Sequence, residues 1–132
     1  MKKIEVAAAI IKKNDLFLCC QRKKNKLTYL SEKWEFPGGK VEQGEGRKQA
    51  VTREIKEELD MNIKVDDLLI TVNHKYPDFQ ITMHCFYCHC DSNELILKEH
   101  IKFKWLPLED LKSLDWAAAD LPVVNKLCNN ER

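Results

Sequence analysis

The stretch WEFPGGKVEQGEGRKQAVTREIKEEL, Trp34–Leu59, decides how the rest of the chain is read. Its first half, residues 34–46, holds one of the chain's four prolines and all four of its glycines. Glycine suits backbone that must turn tightly or lie close to a ligand, so this concentration marks a specialised loop. The second half has neither residue and is rich in good helix formers, which predicts a helix over Arg47–Leu59. At about 100° per residue with Glu54 as origin, Glu57 falls at about −60° and Glu58 at about +40°, so three carboxylates share one arc. Ala50 lies one turn earlier in that arc and is short enough to leave room above Glu54. Val51, Ile55 and Leu59 form the neighbouring apolar stripe, which sets the acids at the edge of the core.

Part of this pattern suits a solvated acidic face, because Arg53 can pair with Glu57 at i,i+4. Glu54 and Glu58 are like charges at the same spacing, a cost of roughly a few tenths of a kcal/mol that a helix built only for stability avoids. Carboxylates clustered at a core edge suit a hard divalent cation, Mg²⁺ or Mn²⁺. Spacing alone leaves both readings open, and the loop tips the balance. Gly38 and Gly39 permit a tight turn, and Glu45 can fold back towards the acidic face. Mg²⁺ takes few protein oxygens, keeps waters and bridges to substrate phosphates. A carboxylate left uncoordinated can orient or deprotonate one of those waters. These parts predict metal-assisted hydrolysis of a phosphoanhydride.

Working outward, Glu5–Lys12 and Leu16–Arg22 read as strands joined at Asn14-Asp15, a turn pair. Lys23–Lys33 is polar and basic and reads as a loop. Leu69–Tyr76 and Gln80–Cys90 read as strands around a Pro77-Asp78 turn, and Ile101–Trp105 as a short strand. Leu108–Leu114 and Leu121–Cys128 read as helical, Pro122 being tolerated in a first turn. Mixed strands with few helices give an α/β (α+β) fold, and 132 residues predict one domain, 1–132.

A chain that is 44% hydrophobic and 33% charged is not disordered. Lys and Arg total 22 against 21 Asp and Glu, so there is no general field for a nucleic acid polymer or an anionic membrane. The longest apolar run, Val6–Ile11, is far short of the roughly 20 residues that span a bilayer. The N-terminus begins like a secretion signal, but Lys12 and Lys13 stand where a cleavage site belongs, so a cytoplasmic protein is expected. A disulfide framework is then not expected of the six cysteines. MHCFYCHC, Met83–Cys90, invites a zinc reading. On a strand, however, His84, Cys88 and Cys90 face one way and Cys85 and His89 the other, whereas zinc needs converging ligands. Buried thiols acting as small hydrophobes are the better reading.

Gly39, Glu45, Arg53-Glu54-Ile55 and Glu57-Glu58 stand in the register of the Nudix box, and the chain resembles that family. WEFPGGKVE and the tail FKWLPLEDLKSLDWAAADLPVVNKL, Phe103–Leu127, are similar to its MutT-type branch, nucleoside triphosphate pyrophosphohydrolases that include 8-oxo-dGTP diphosphatase and a CTP pyrophosphohydrolase. The resemblance implies a three-layer α/β/α sandwich with a mixed sheet. It implies Mg²⁺-dependent hydrolysis of (oxidised) deoxynucleoside triphosphates, such as 8-oxo-dGTP, to the monophosphate and pyrophosphate, sanitising the nucleotide pool. CTP or 5-methyl-dCTP is the alternative substrate. A non-catalytic nucleotide-sensing module is a second alternative, against which the intact box carboxylates speak. A monomer or weak homodimer is expected.

Carried across, Glu57 and Glu58 bind metal with the Gly38 carbonyl, Glu54 is the general base at the metal, and Glu99 in LKEH is a further metal carboxylate. Glu45 and Arg53 brace the loop and helix. Arg22 and Lys40 are candidates for phosphate contact. Asp120 matches the position that reads the nucleobase, where MutT carries Asn; it also suits a helix N-cap before Leu121-Pro122. Phe36 and Trp34 are candidates to border the base or to fill the core. The family box ends Gly-aliphatic, whereas this chain has Asp60-Met61. That glycine normally takes the left-handed turn after the helix, which Asp adopts at some cost.

Overall fold

The computed structural model describes residues 1–130. Its spine is β1 (Lys2–Lys13), whose apolar run Val6–Ile11 is what a strand covered on both faces requires. Alternate side chains enter opposite cores: Ala8 and Ile10 one, Ala7, Ala9 and Ile11 the other. Along one edge β1 runs parallel to β6 (Phe79–His89), from Lys2↔Phe79 to Lys12↔His89. β6 in turn pairs antiparallel with β5 (Lys64–Lys75). At its far end β1 turns through Asn14 and Asp15 into β2 (Leu16–Gln21). Both turn residues have positive φ, 52° and 62°, the geometry for which Asn and Asp are suited in a tight hairpin. β2 pairs antiparallel with β3 (Trp34–Glu35) and β7 (Lys102–Pro107). β4 (Gly38–Lys40) pairs antiparallel with Val6–Ala8 of β1. The sheet is therefore mixed.

α1 (Arg47–Leu59) lays Ala50, Val51, Ile55 and Leu59 on one face of this sheet. α2 (Leu121–Asn130) lays Val123, Val124 and Leu127 on the other, beside Trp34, Phe36 and Trp116. This is the three-layer α/β/α sandwich, held by apolar burial worth about 1.5–3 kcal/mol per large aliphatic side chain. The end of α1 follows from the departure at residue 60. Asp60 takes the left-handed conformation (φ 53°, ψ 37°), and its N–H donates to the Lys56 carbonyl at 3.1 Å. Its carboxylate meets Lys56 Nζ at 3.0 Å.

The expected elements are present with different limits. β1 starts at Lys2 and not Glu5, β2 stops at Gln21, and β6 and β7 are each displaced by a residue or two. β5 starts at Lys64 and not Leu69. Its first half is irregular, with register shifts between Val65 and Leu68 and again before Ile70, so no alternation announces it. Leu108–Ser113 is a 3-10 helix. The short strands β3 and β4 sit inside the glycine-rich segment that reads as loop. Cys85 packs into the α2-side core while Cys88 and Cys90 pack into the α1 side. Burial pushes the Cys88 thiol up to about 12. No helix among the described residues is long and apolar enough to cross a membrane.

Candidate active site

The site grows from the turn between β3 and α1. Gly38 lies so close to β1 that a Cβ there would collide with the Ala7 carbonyl oxygen and Ala8 Cα. A Cβ on Gly39 would collide with the Glu54 carboxylate. The two glycines thus do different work: the first lets β4 seat on β1, and the second leaves room for an acid of α1. Gln49 Oε1 accepts the Gly46 N–H at 2.8 Å and starts the helix.

Arg53 then ties helix to loop. Its Nε donates to Glu45 Oε2 at 2.7 Å and its Nη2 to Glu45 Oε1 at 3.0 Å and the Lys40 carbonyl at 2.9 Å. Its Nη1 donates to Glu54 Oε1 at 2.9 Å and Glu57 Oε2 at 3.2 Å. The Arg53 hydrogen bonds, followed by the Glu42 N–H, hold the Glu45 carboxyl down at about 2. Arg53 thus links the loop, at Glu45 and Lys40, to the α1 carboxylates Glu54 and Glu57. Glu57, expected as a ligand, is 59% exposed and turned to Arg53. Glu99, also expected as a ligand, is 58% exposed and lies 3.6 Å from Lys23 Nζ.

Glu58 is placed differently. Its Oε1 is buried and has no partner among the described residues. Burial foremost, then the charges of Glu35, Glu54 and Glu99, push its carboxyl up to about 8. Among the described residues no three His, Cys, Asp or Glu side chains already converge on one point. An orphaned acid oxygen among neighbouring carboxylates is nonetheless short of positive charge, and this hard-oxygen set fits a divalent ion.

Glu58 also lines a cleft of about 270 Å³. Arg22, Gly38, Gly39 and Lys40 line it as well. Tyr76, Phe79, Met83 and Asp120 line it too. Asp120 ends a 3-10 turn (Ala118–Asp120), and its carboxylate accepts the Phe36 N–H at 3.0 Å, across 84 positions of sequence. Burial foremost, then the Glu35 charge, pushes the Asp120 carboxyl well above its ordinary range. A neutral Asp120 gains a donor on its carboxyl while Oδ1 accepts from Phe36. Phe36 reaches the cleft but stacks on Trp116, ring centroids 4.7 Å apart. Trp34 is core, with Lys104 Nζ 5.5 Å from its ring centroid.

Sequence reasoning missed Glu35 and His100. Glu35 Oε1 accepts from Arg22 Nη1 at 2.9 Å, and Glu35 Oε2 is 2.8 Å from His100 Nε2. Burial pushes the Glu35 carboxyl up, but the His100 hydrogen bond and the Arg22 charge outweigh it and hold it below its ordinary value. It missed Tyr76 too, whose hydroxyl accepts the Ala119 N–H at 2.9 Å beside Asp120. Glu35 and His100 were visible as residue types in WEFPGG and KEH, but only the pairing of both β3 and β7 with β2 brings them together.

A family model described as NUDIX domain matches residues 6–126. The chain belongs to the Nudix family. This Nudix hydrolase is 33% identical to the 8-oxo-dGTP diphosphatase of Escherichia coli (strain K12) over 129 residues, 96% of this chain and 98% of that protein. It is 32% identical to the CTP pyrophosphohydrolase of the same strain over 124 residues, 94% of this chain and 90% of that protein. Among solved structures it is similar to the MutT protein of Methanosarcina mazei Go1, with a TM-score of 0.86 at 25% identity, covering 99% of this chain and 97% of the other. It is a hydrolase of the MutT type.

Proposed function

We propose that this Nudix hydrolase cleaves nucleoside triphosphates to the monophosphate and pyrophosphate, with oxidised deoxynucleoside triphosphates such as 8-oxo-dGTP as its substrate class. The observation that carries this reading is the single cleft that brings Tyr76, Phe79 and Asp120 together with Arg22, Lys40 and Glu58. A flat base lies by its aromatic side chains and the phosphates by its basic ones. Protonated Asp120 offers an O–H to a base carbonyl, and the backbone it holds at Phe36 keeps that wall rigid. Arg22 and Lys40 supply positive charge to the phosphates.

Glu57, Glu58, Glu99 and the Gly38 carbonyl would hold Mg²⁺ (or Mn²⁺), with Glu54 beside them; when bound, the ion neutralises phosphate charge and favours ionisation of water. Glu54 orients the attacking water and takes its proton at a carboxylate oxygen, while Arg53 keeps that carboxylate in place. The water oxygen bonds to one of the two phosphorus atoms of the α–β bridge, the bridging P–O bond to that phosphorus breaks with its electron pair going to the bridging oxygen, and monophosphate and pyrophosphate separate. Glu45 and Arg53 take no part in the bond changes; they hold the loop on the helix.

The 32% identity to a CTP pyrophosphohydrolase supports a second reading, in which CTP or 5-methyl-dCTP is the substrate. The deciding experiment is a panel of triphosphates with Mg²⁺ or Mn²⁺, scored by pyrophosphate release. A kcat/KM highest for 8-oxo-dGTP supports the first reading, and one highest for a cytosine nucleotide supports the second. Nucleotide binding without turnover of any member defeats both and favours a sensing module. In keeping with this reading, residues 1–132 act as one domain, as a monomer or weak homodimer in the cytoplasm.

A further inference from the structure

Adjoining the cleft is a second, open chamber of about 150 Å³ whose lining residues are all polar: Arg22, Lys23, Asn25, Glu35, Glu58, Glu99 and His100. Among the described residues, three buried side-chain polar atoms lack a hydrogen-bond partner: Arg22 Nε, Glu58 Oε1 and His100 Nδ1. All three belong to residues that line this one chamber. Orphaned buried polar groups are rare, and three in one place mark a built site. Arg22, Glu35 and Glu58 line the cleft as well, so the Arg22–Glu35 pair forms the wall between the two spaces.

That wall has a third member. The His100 side chain is 3% exposed, and its Nε2 sits 2.8 Å from the Glu35 oxygen that Arg22 does not use. A carboxylate gripped on both oxygens cannot swing, and a guanidinium gripped by it cannot either. Arg22 keeps its Nε–H unpartnered among the described residues and keeps a face on the cleft. The backbone holds the same arrangement, since the Arg22 N–H donates to the Lys33 carbonyl at 2.8 Å and the Ile101 N–H to the Gln21 carbonyl at 3.0 Å.

We propose that His100 and Glu35 are positioning residues, a two-step clamp that fixes the Arg22 guanidinium towards the phosphates of the bound nucleotide. This rests on the triphosphate reading above and adds the residues that make Arg22 effective. His100 lines the chamber and not the cleft, so in this clamp its effect on the phosphates passes through Glu35 to Arg22.

The test is a double-mutant cycle. His100→Leu keeps bulk and removes the donor; His100→Gln keeps an N–H for Glu35. His100→Leu is expected to raise KM about tenfold with little change in kcat, and His100→Gln to restore most of the loss. In the background of Arg22→Ala, His100→Leu should add almost nothing, because the group it positions is gone. Two readouts stand apart from turnover. Calorimetric Kd for pyrophosphate should weaken in step with KM, and the Arg22 Nε–H resonance should lose its slow exchange in His100→Leu but not in His100→Gln. Equal KM effects of His100→Leu with and without Arg22, or losses in both His100 variants that follow melting temperature alone, overturn the clamp. A wild-type protein that releases pyrophosphate from no triphosphate defeats the functional reading instead, and the calorimetric and resonance comparisons still decide the clamp.

Discussion

On one side of Gly38–Lys40, Arg53 closes on Glu45, Glu54 and Glu57; on the other, Glu58 shares a polar chamber with Glu35, Glu99, Arg22 and His100. The first cluster is saturated. Each Arg53 nitrogen has an acceptor, and Glu45 is held ionised well into the acid range. The second is unsaturated, with three orphaned atoms and an acid pushed towards neutrality. Both are acid-rich, and both touch α1. The difference teaches that charge which holds a fold arrives with its partners, whereas charge that waits for a ligand is left without them.

The comparison is tested most severely at Glu58. Glu58→Gln should cut pyrophosphate release by about 100-fold, as loss of a metal-site acid does, while the metal-free melting temperature does not fall. A protein that melts lower with full activity would reverse the roles of the two clusters. The adjacent glycines come next. Gly38→Ala drives a methyl into β1 and should cost about 2–3 kcal/mol in a urea melt. Gly39→Ala pushes on the Glu54 carboxylate, so its kcat should fall more than its stability.

Two variants contrast a partnered acid with a buried one by pH. The Glu45 carboxyl falls from an ordinary 4.5 to about 2 on folding, so its stabilisation is complete above about pH 4.5 and drains away as pH drops towards 2. Glu45→Gln should flatten that part of an acid denaturation profile. Asp120 has the opposite sign. Its folded carboxyl titrates well above its ordinary 3.8, so its cost is absent below that value and grows as pH rises. Asp120→Asn, whose Oδ1 can still accept from Phe36, should therefore match the wild type near about pH 3 and exceed it at neutral pH, read by urea melts at the two pH values. The smallest effect is expected at Asp60→Gly, where relief of a left-handed aspartate is offset by loss of the Lys56 pair, and differential scanning calorimetry should show a rise of a few degrees at most.

The saturated cluster was the legible one. Glu45, Arg53, Glu54 and Glu57 lie within a short stretch, and helical periodicity alone brings three of them to one face. The alternation of β1 and the Asn14-Asp15 turn were legible for the same reason, since each is a local pattern. In the unsaturated cluster Arg22, Glu58 and Glu99 were legible, but Glu35 and His100 were hidden, because β3 and the segment before β7 meet only through their separate pairings with the end of β2. Glu35 reads as one more acid beside a glycine turn, and His100 as one more loop histidine. β5 was half hidden because its register shifts erase the period-two signature. Asp120 was suspected, yet its grip on Phe36 depends on the packing of the Trp116 segment against β3, where the Trp34 N–H donates to the Asp115 carbonyl at 2.9 Å and the Ala117 N–H to the Trp34 carbonyl at 2.9 Å.

The parallel pairing of β1 with β6 sets Ile4 opposite Ile81. A nascent chain exposes its first strand long before the neighbour that completes the sheet has been synthesised, and such distant pairing is slow to form. Helix α1 and its brace use neighbours in sequence and can form early. β4, which carries the glycines, leans on β1, so the hydrolytic corner matures only once that late docking is finished. Regain of turnover after dilution from denaturant should accordingly lag behind regain of helical circular dichroism.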